Sequence, residues 1–414
     1  MYYDELRKPE THQQSVERQP SGLRVIACCG GMVIVAGLER MTFEVLRTLR
    51  HRGAEVHCIV NTWENHRIVA LAENIGASWS TGYYWYGFGR RLFNPVKLAQ
   101  FLWDVLMTSL GLLRDAWRFR PTHVLLPEFV AALRNWPALV LMRLIGVEVI
   151  LRLGNAPETG RWHELIWRWA VNSVTDRFIC NSQFTKQELL GLGISPEKVS
   201  YIYNTVPHRQ SNEGQIGDAI REVNKVIYVG QIIPSKGLDL LIEAIGMLVA
   251  QGYDVCLDVV GNIDGWESPA YAGYRQSLLD RAAQSDLIGR VNFLGWREDV
   301  PNLLASAAIH CCPSLPEQKE GFGLVNVEAK QAGIPSVVFP TGALPELIKH
   351  KSDGWVCSEV SAKALAEGIE YFLSNTSRRE QAGQAAFRSV EPFSPERFAD
   401  QWLAVFEQEQ TKAE

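Results

Sequence analysis

Membrane spans, zinc-finger spacings and secretion signals are all missing from this sequence. No run of 18 or more uncharged apolar residues occurs, so no segment is predicted to cross a bilayer. The eight cysteines include no Cys-x-x-Cys pair, and no histidine lies at finger-like spacing from them, which argues against structural zinc. Residues 1–22 lack the apolar core of a secretion signal and are predicted to form a mobile tail.

An excess of positive charge is missing as well. Lysine and arginine number 41 against 46 acidic residues, a formal net charge of −5, so nothing indicates a general affinity for nucleic acid. Hydrophobic residues make up 47% and charged residues 21%, which excludes a disordered chain. The cysteines lie mostly in apolar runs, which predicts buried thiols in a reducing compartment and therefore a cytoplasmic protein.

Short β-branched runs alternate with longer segments of helical period, a pattern typical of parallel sheets covered by helices on both faces. A chain of 414 residues is long enough for two such domains. The first series of strands is predicted at 24–29, 55–60, 122–126, 148–153, 177–180 and 199–203. The second is predicted at 225–229, 254–260, 290–294, 309–312 and 336–339.

The predicted fold is therefore α/β, with two Rossmann-like doubly wound domains facing a central cleft. The domains are predicted at 23–207 and 225–390, joined by a polar linker at 208–224. A last helical segment, 391–414, is predicted to return to the first domain. Packing of this segment as a cap on the second domain is the alternative, and the pattern leaves both open.

A nicotinamide dehydrogenase is excluded by two missing features. The first strand leads into Cys28-Cys29-Gly30-Gly31, whose spacing is not Gly-x-Gly-x-x-Gly, and the second strand ends at Asn61 without the acid that binds an adenosine ribose. The loop that contains Gly31 is better interpreted as one that approaches a phosphate from the opposite domain.

The richest motif follows the predicted strand 309–312 and opens a helix. Glu320-Gly321-Phe322-Gly323-Leu324 contains two glycines that let the backbone approach a ligand, and free N–H groups at the helix start suit a phosphate. Glu328, one turn into this helix, is placed to accept hydrogen bonds from two ribose hydroxyls, and Glu320 to reach a sugar hydroxyl. The simpler interpretation is that Glu328 is a helix-dipole acid and Glu320 a solvated loop charge.

Three further strand-to-helix corners lie at the same predicted sheet edge. Gly230-Gln231 leads to Lys236, whose ammonium is placed to neutralise a diphosphate. Trp296 and Arg297 follow the predicted strand 290–294 and are candidates for a nucleobase pocket. The fourth corner is 340–346. Taken singly, Lys236 is also explained as an exposed loop lysine and Trp296 as a half-buried turn residue, but four such corners together favour a ligand site.

These motifs resemble the retaining glycosyltransferases of family 4, which have the GT-B fold. The resemblance is strong over 226–356 and rests above all on the Glu-x7-Glu spacing of Glu320 and Glu328. It implies a nucleotide-sugar donor, UDP- or GDP-linked, held by the second domain and an acceptor bound by the first. It further implies that Glu328 binds the ribose, that Glu320 lies by the donor sugar and that Lys236 contacts the diphosphate. Catalysis is assigned to Glu320 and Lys236, without cofactor or metal, and no Asp-x-Asp triplet occurs.

The donor-binding set predicted in this way is Gly31, Gly230, Gln231, Lys236, Trp296, Arg297, Glu320, Gly321, Phe322, Gly323, Leu324 and Glu328. Two positions depart from the family pattern. Gln231 stands where the family has arginine, and the region 151–157 lacks the histidine that often faces the donor. Glu128, Arg152 and Asn155 are the candidates for the acceptor side.

The sequence thus predicts a retaining, metal-independent glycosyltransferase that uses a saccharide or lipid-linked acceptor, plausibly in cell-surface polysaccharide synthesis. A nucleotide-sugar epimerase or hydrolase of the same fold and an inactive nucleotide-sugar-binding protein are the alternatives. Aromatic residues and an arginine pair at 83–91 precede an apolar stretch, 96–113. This region is typical either of a peripheral contact with the inner face of an anionic membrane or of a core helix beside an acceptor groove.

Overall fold

The computed structural model describes residues 22–32, 37–84, 94–158, 160–206, 221–263 and 268–407. The predicted tail lies almost wholly outside these residues, as do most of the predicted linker and residues 85–91 of the aromatic segment. The described residues up to Tyr203 and from Glu396 form one compact unit, and those within Asn204–Pro395 form a second.

The first unit contains a seven-stranded sheet. Its strands lie in the order β3-β2-β1-β4-β5-β6-β7, and every neighbouring pair is parallel. The strands are β1 (Arg24–Cys28), β2 (Glu55–Val60), β3 (Ser78–Thr81), β4 (His123–Leu126), β5 (Glu148–Leu153), β6 (Arg177–Cys180) and β7 (Val199–Tyr201). The central strands are buried on both faces, which is why they are continuous apolar runs.

The helices of this unit are Gly37–His51, His66–Asn74, Pro95–Phe119, Phe129–Arg134, Trp136–Leu144, Arg161–Leu165, Asn172–Val174 and Gln183–Gly191, with a π-helical segment, Ile166–Val171, between the sixth and seventh. Side chains begin several of them. The Asn94 carboxamide accepts a hydrogen bond from the Val96 N–H, and the Ser182 hydroxyl accepts one from the Thr185 N–H.

The second unit contains a six-stranded parallel sheet in the order β10-β9-β8-β11-β12-β13. Its strands are β8 (Lys225–Val229), β9 (Cys256–Val260), β10 (Val291–Gly295), β11 (Ile309–Cys312), β12 (Ser336–Val338) and β13 (Gly354–Val356). Its helices are Leu238–Ala250, Tyr274–Ala282, Val300–Ser306, Leu324–Gln331, Leu344–Leu347, Ala362–Leu373 and Thr376–Arg388. Two doubly wound α/β halves, as predicted, are confirmed.

The helix Pro395–Glu407 closes the described chain. Phe398, Trp402 and Phe406 on this helix are buried in the same core cluster as Val25 and Phe43 of the first unit. The chain therefore leaves the first unit after Tyr203 and contributes to it again from Glu396.

One helix among the described residues, Pro95–Phe119, is long and apolar enough to cross a membrane when judged by length and composition alone. Its inner side holds the buried residues Asp104, Thr108, Leu112 and Asp115. Arg134 forms an ion pair with Asp104 at 3.4 Å, and the Ser80 hydroxyl donates to Asp115 at 2.6 Å. These contacts attach the helix to the first unit along one side.

Candidate active site

The strand order of the second sheet reverses between β8 and β11, and two predicted site residues lie beyond the ends of these strands. Parallel sheets of this type bind ligands where the order reverses, outside the carboxyl ends of the strands. Lys236 ends a short 3-10 turn after β8. The following residue, Gly237, has a φ of +65°, and a Cβ atom there would lie 2.2 Å from the Pro313 carbonyl oxygen beyond β11. Glycine therefore lets the two corners touch.

Lys236 and Glu320 form an ion pair at this point. The Lys236 ammonium donates to Glu320 Oε2 at 2.5 Å, and the Ser314 hydroxyl donates to the same oxygen at 2.9 Å. The side chains of Lys236 and Glu320 are 18% and 14% exposed. An ammonium has three donors, so Lys236 can hold Glu320 and still donate to an anionic ligand.

The loop after β12 is the third strand-to-helix corner that contributes to this site. The Ala343 N–H donates to the Glu320 carbonyl oxygen at 2.9 Å, and the Thr341 hydroxyl donates to the Ser314 carbonyl oxygen at 2.6 Å. Gly342 has a φ of +57°, and a Cβ atom there would lie 2.4 Å from the Glu320 carbonyl oxygen. The backbone around Glu320 is thus held from the neighbouring strand.

The helix Leu324–Gln331 begins after the short segment 321–323 that follows Glu320. Gly323 precedes it with a φ of +75°, and the buried Asn326 carboxamide donates to the Gly323 carbonyl oxygen at 3.0 Å. Phe322 is buried and packs against Phe393 with ring centroids 5.8 Å apart. Gly321 is also buried, whereas Leu324 and Glu328 are half-buried. The first N–H groups of this helix have no partner within it and add positive potential beside Lys236.

The remaining corner predicted for the donor lies further away in the sheet. Trp296 and Arg297 follow β10, the edge strand, which β9 separates from β8. Trp296 is 64% exposed, and Arg297 forms a two-bond ion pair with Asp299 at 2.7 and 2.8 Å. The contacts described above join the corners after β8, β11 and β12. Arg297 does not take part in them and pairs instead with Asp299 in the same turn.

Gly230 and Gln231 form the tight bend that ends β8. The Gly261 N–H donates to the Gly295 carbonyl oxygen, and a Cβ atom on Gly261 would lie 2.2 Å from the Gly230 carbonyl oxygen. The Tyr228 hydroxyl donates to the Gln231 carbonyl oxygen at 2.6 Å, while the Gln231 side chain is exposed.

The first sheet has a corresponding site of its own at the reversal between β1 and β4. Gly31 follows β1 and Glu128 follows β4, and a Cβ atom on Gly31 would lie 2.0 Å from Glu128 Oε1. Burial raises the pKa of the Glu128 carboxyl, and the charge of Arg134 opposes this shift. Gly31, which was predicted to bind the donor, and Glu128, which was predicted for the acceptor side, therefore lie side by side.

The other two acceptor candidates differ in burial. Arg152 is buried, and its guanidinium donates to the Thr42 hydroxyl at 3.4 Å and the Leu38 carbonyl oxygen at 3.5 Å. Burial lowers the pKa of Arg152 to about 10, although the charge of Glu39 acts in the opposite direction. Arg152 thus faces the helix Gly37–His51, whereas Asn155 is exposed.

Sequence reasoning missed Ser314 and the role of Gly342. Ser314 is fully buried two residues after β11, and its hydroxyl and carbonyl oxygen both serve the site. The sequence signal for Ser314 was a small polar residue just beyond an apolar strand. In the part of the chain that the structure describes, no group of three His, Cys, Asp or Glu side chains is placed to hold a metal ion.

Two family models match the chain, one for each half. The model described as Glycosyltransferase Family 4 matches residues 35–210, and the model described as Glycosyl transferases group 1 matches residues 213–389. Among curated relatives, a D-inositol 3-phosphate glycosyltransferase of Jonesia denitrificans is 28% identical over 63% of each chain. An amylovoran biosynthesis glycosyltransferase of Erwinia amylovora is 27% identical over 45% of this chain and 44% of that protein.

The matched regions thus cover about half to two thirds of the curated relatives' own lengths. Among solved structures, an Anabaena protein in complex with UDP and glucose has a TM-score of 0.74 and 18% identity. The match covers 93% of this chain and all of that one. This likeness shows that the two chains have the same fold.

Proposed function

The chain belongs to the family 4 glycosyltransferases with the GT-B fold, and from this premise we propose that it transfers a sugar from a nucleotide-sugar donor to a saccharide or lipid-linked acceptor. The observation that carries the proposal is the Lys236–Glu320 ion pair at the strand reversal of the second sheet, beside the start of the helix Leu324–Gln331. This arrangement combines a cation, a carboxylate and free N–H groups at the place where such sheets bind ligands.

In the proposed reaction, the bond between the anomeric carbon and the diphosphate oxygen breaks, and its electron pair leaves with the nucleoside diphosphate. The acceptor hydroxyl forms the new bond to the anomeric carbon on the same face, and its proton passes to the departing diphosphate oxygen. Lys236 and the helix N–H groups stabilise the charge on the leaving diphosphate, so that no metal ion is required. Glu328 binds the ribose hydroxyls, while Gly321 and Gly323 let the backbone approach the donor.

Both the side chain and the main chain of Glu320 are held in place. Its carboxylate faces Lys236 and Ser314, and its main chain is held by Ala343. A carboxylate here is able to orient a donor-sugar hydroxyl or to act as a nucleophile at the anomeric carbon. Either route retains the anomeric configuration.

The relatives narrow the proposed substrates. The Anabaena structure holds UDP and glucose, which favours a UDP-linked donor, with GDP as the second candidate. The amylovoran relative favours a place in cell-surface polysaccharide synthesis. All eight cysteines are free, and seven are buried, which is consistent with the reducing cytoplasm where we propose that the chain acts.

A thermal-shift screen against UDP, GDP and ADP tests donor binding first. A nucleotide that binds only the folded state raises the melting temperature, and we expect UDP or GDP to do so. Nucleoside diphosphate release from the matching nucleotide-sugar is then measured with and without cell-envelope extract. Release that requires the extract supports transfer, and release without it supports the hydrolase alternative. A shift without release in either case supports an epimerase if the nucleotide-sugar is converted to its epimer, and an inactive binding protein if it is unchanged. The absence of any shift contradicts donor binding itself.

A further inference from the structure

More than half of the large apolar side chains that the described residues expose lie on four elements of the first unit: Pro95–Phe119, Trp136–Leu144, Arg161–Leu165 and the π-helical segment Ile166–Val171. Val96, Trp103, Leu110 and Trp117 recur every seven residues of the helix Pro95–Phe119 and therefore follow one line along it. The same four elements expose further apolar side chains: Leu98, Leu102, Leu106, Trp136, Leu141, Leu144, Trp162, Leu165 and Trp169. Together these side chains form what is called here the apolar face.

Hydrogen bonds and an ion pair link these elements to one another and to the short helix Phe129–Arg134. Arg134, at the end of Phe129–Arg134, pairs with Asp104 and accepts a hydrogen bond from the Ser109 hydroxyl through its carbonyl oxygen. The Trp136 indole N–H donates to the Ala170 carbonyl oxygen at 3.0 Å. The exposed apolar side chains therefore lie on elements that contact one another, and an exposed apolar surface of this extent is typical of an interaction site.

The charges around the apolar face are mostly positive. Lys97, Arg118, Arg161 and Arg168 are exposed on these helices. Glu164 is the one exposed acid on Pro95–Phe119, Trp136–Leu144 and the stretch 161–174, all of which the structure describes. Asp104 and Asp115 are buried instead and are paired with Arg134 and Arg114. This balance is opposite in sign to the whole chain, which has a net charge of −5.

From this combination we propose that the apolar face docks the protein on an anionic lipid surface. Tryptophan and leucine side chains enter the boundary between headgroups and acyl chains, and tryptophan is favoured there because its ring is apolar and its N–H is polar. The lysine and arginine side chains bury their apolar stems and keep their charges at the headgroups. A two-fold contact between copies of the chain would set these same positive charges against one another, so charge complementarity favours anionic lipid over a second copy.

Flotation of the full-length protein with vesicles tests the proposal without any nucleotide or acceptor, so its outcome is separate from that of the sugar-transfer assay. We expect binding to vesicles of phosphatidylglycerol and phosphatidylcholine in equal parts at low salt. Binding is expected to be much weaker to pure phosphatidylcholine and to fall as salt is raised.

Matched variants locate the surface. Trp117 and Trp169 are 80% and 74% exposed, so Trp117→Ser with Trp169→Ser is expected to abolish most flotation while the melting temperature stays unchanged. Ile288→Ser, at an exposed position of the second unit, is the apolar control and is expected to float normally. Arg161→Gln and Arg168→Gln are each expected to weaken binding about fivefold, whereas Lys363→Gln in the second unit leaves it unchanged.

Three outcomes would overturn the proposal. The first is the absence of flotation on anionic vesicles at low salt, and the second is equal flotation on neutral and anionic vesicles. The third is a dimer, measured by light scattering, that the paired tryptophan substitutions convert to a monomer, since the apolar face would then be an interface between two copies of the chain.

Discussion

Lys236 and Glu320 lie far apart in the sequence, yet their side chains meet at 2.5 Å because β8 and β11 are neighbours in the sheet. The sequence motifs identified both residues, but not their contact with each other. Strand order determines that contact, and strand order is a property of the folded sheet rather than of either motif. Ser314 was missed for the same reason, because its place after an apolar strand suggests a role but only the folded sheet shows its contact with Glu320.

Replacement of Lys236 tests the electrostatic part of the proposed mechanism. Lys236→Ala removes the ammonium that we propose faces the leaving diphosphate, and we expect sugar transfer to fall roughly 100- to 1,000-fold. Lys363→Ala, at an exposed lysine of the same unit, is the matched control and should leave the rate unchanged. Initial rates of nucleoside diphosphate release measure both, with the melting temperature as a check on folding. An unchanged rate in Lys236→Ala would refute the assignment.

Replacement of Gly342 tests the backbone support of Glu320. Gly342→Ala places a Cβ atom 2.4 Å from the Glu320 carbonyl oxygen and forces that segment to move. Gly289 has a similar positive φ of +75° but open space around its Cβ position, so Gly289→Ala isolates the backbone strain. We expect Gly289→Ala to lower the free energy of unfolding by about 1 kcal/mol. Gly342→Ala should lower the free energy of unfolding further and should also abolish the rise in melting temperature that the nucleotide causes. Equal effects of the two variants would contradict a role of Gly342 in supporting Glu320.

The buried side chain of His310 makes the free energy of unfolding depend on pH. Burial lowers its pKa from 6.5 to about 3, so the folded protein keeps the ring neutral while the unfolded chain binds a proton below about pH 6.5. The unfolded state then binds more protons, and stability falls as the pH is lowered. At about pH 5 this loss is expected to be about 2 kcal/mol relative to pH 7. Urea unfolding at both pH values should show a smaller loss in His310→Asn, and an identical loss would exclude His310 as the cause.

Secondary-structure elements were predictable where both faces of a strand are buried. β2, β5, β6, β8 and β11 have the predicted bounds, because continuous apolar runs mark central strands. The edge strands β3 and β13 were not predicted. β3 reads Ser-Trp-Ser-Thr with one exposed face, and β13 has three residues, so neither has an apolar run to reveal it. The apolar stretch 130–145 has a helical period throughout but forms two helices, Phe129–Arg134 and Trp136–Leu144, since Pro137 favours the start of a new helix.

A buried ion pair fixes the helix that follows Glu320. Lys330 on this helix donates to Asp353 at 2.7 Å and to the Ser389 hydroxyl at 2.7 Å, and both charged side chains are almost fully buried. Burial lowers the pKa of Lys330, and Asp353 opposes that shift. The helix Leu324–Gln331 is thereby tied to the turn before β13 and to the end of Thr376–Arg388.

Removal of one partner of this pair leaves the other charge buried and uncompensated. Asp353→Asn is therefore expected to lower the free energy of unfolding by about 3–5 kcal/mol. Lys330→Met combined with Asp353→Asn removes both charges and should recover a large part of the loss. Denaturant unfolding of the wild type and both variants measures the effect. A double variant as unstable as Asp353→Asn alone would show that the buried charge is not the reason.

At the scale of the whole molecule, composition, length and strand–helix alternation predicted two doubly wound halves, and the structure confirms them. The location of the terminal helix was harder to predict, because its apolar stripe, Phe398, Trp402 and Phe406, suits any apolar surface. Its contacts with Val25 and Phe43 depend on which surface the folded units leave uncovered, and no local pattern encodes that.

Trp402 tests how much the first unit depends on this helix. The side chain is 1% exposed, so Trp402→Ala is expected to lower the stability of the first unit by about 3–5 kcal/mol. Trp162→Ala, at a 75% exposed tryptophan of the same unit, should change stability by less than about 0.5 kcal/mol. Calorimetry in the presence and absence of the nucleotide measures both. Equal melting profiles for the two variants would show that the helix contributes little.

The interleaved order of the two units also has a consequence during protein synthesis. The residues of Asn204–Pro395 leave the ribosome as an unbroken stretch, and domains generally fold as units while translation proceeds. The first unit is synthesised earlier, but it cannot complete its core until Phe398, Trp402 and Phe406 have emerged. These are almost the last described residues to do so. The second unit is therefore expected to mature before its predecessor, and a chain truncated after Pro395 should resist protease in its later half and be cut in its earlier one.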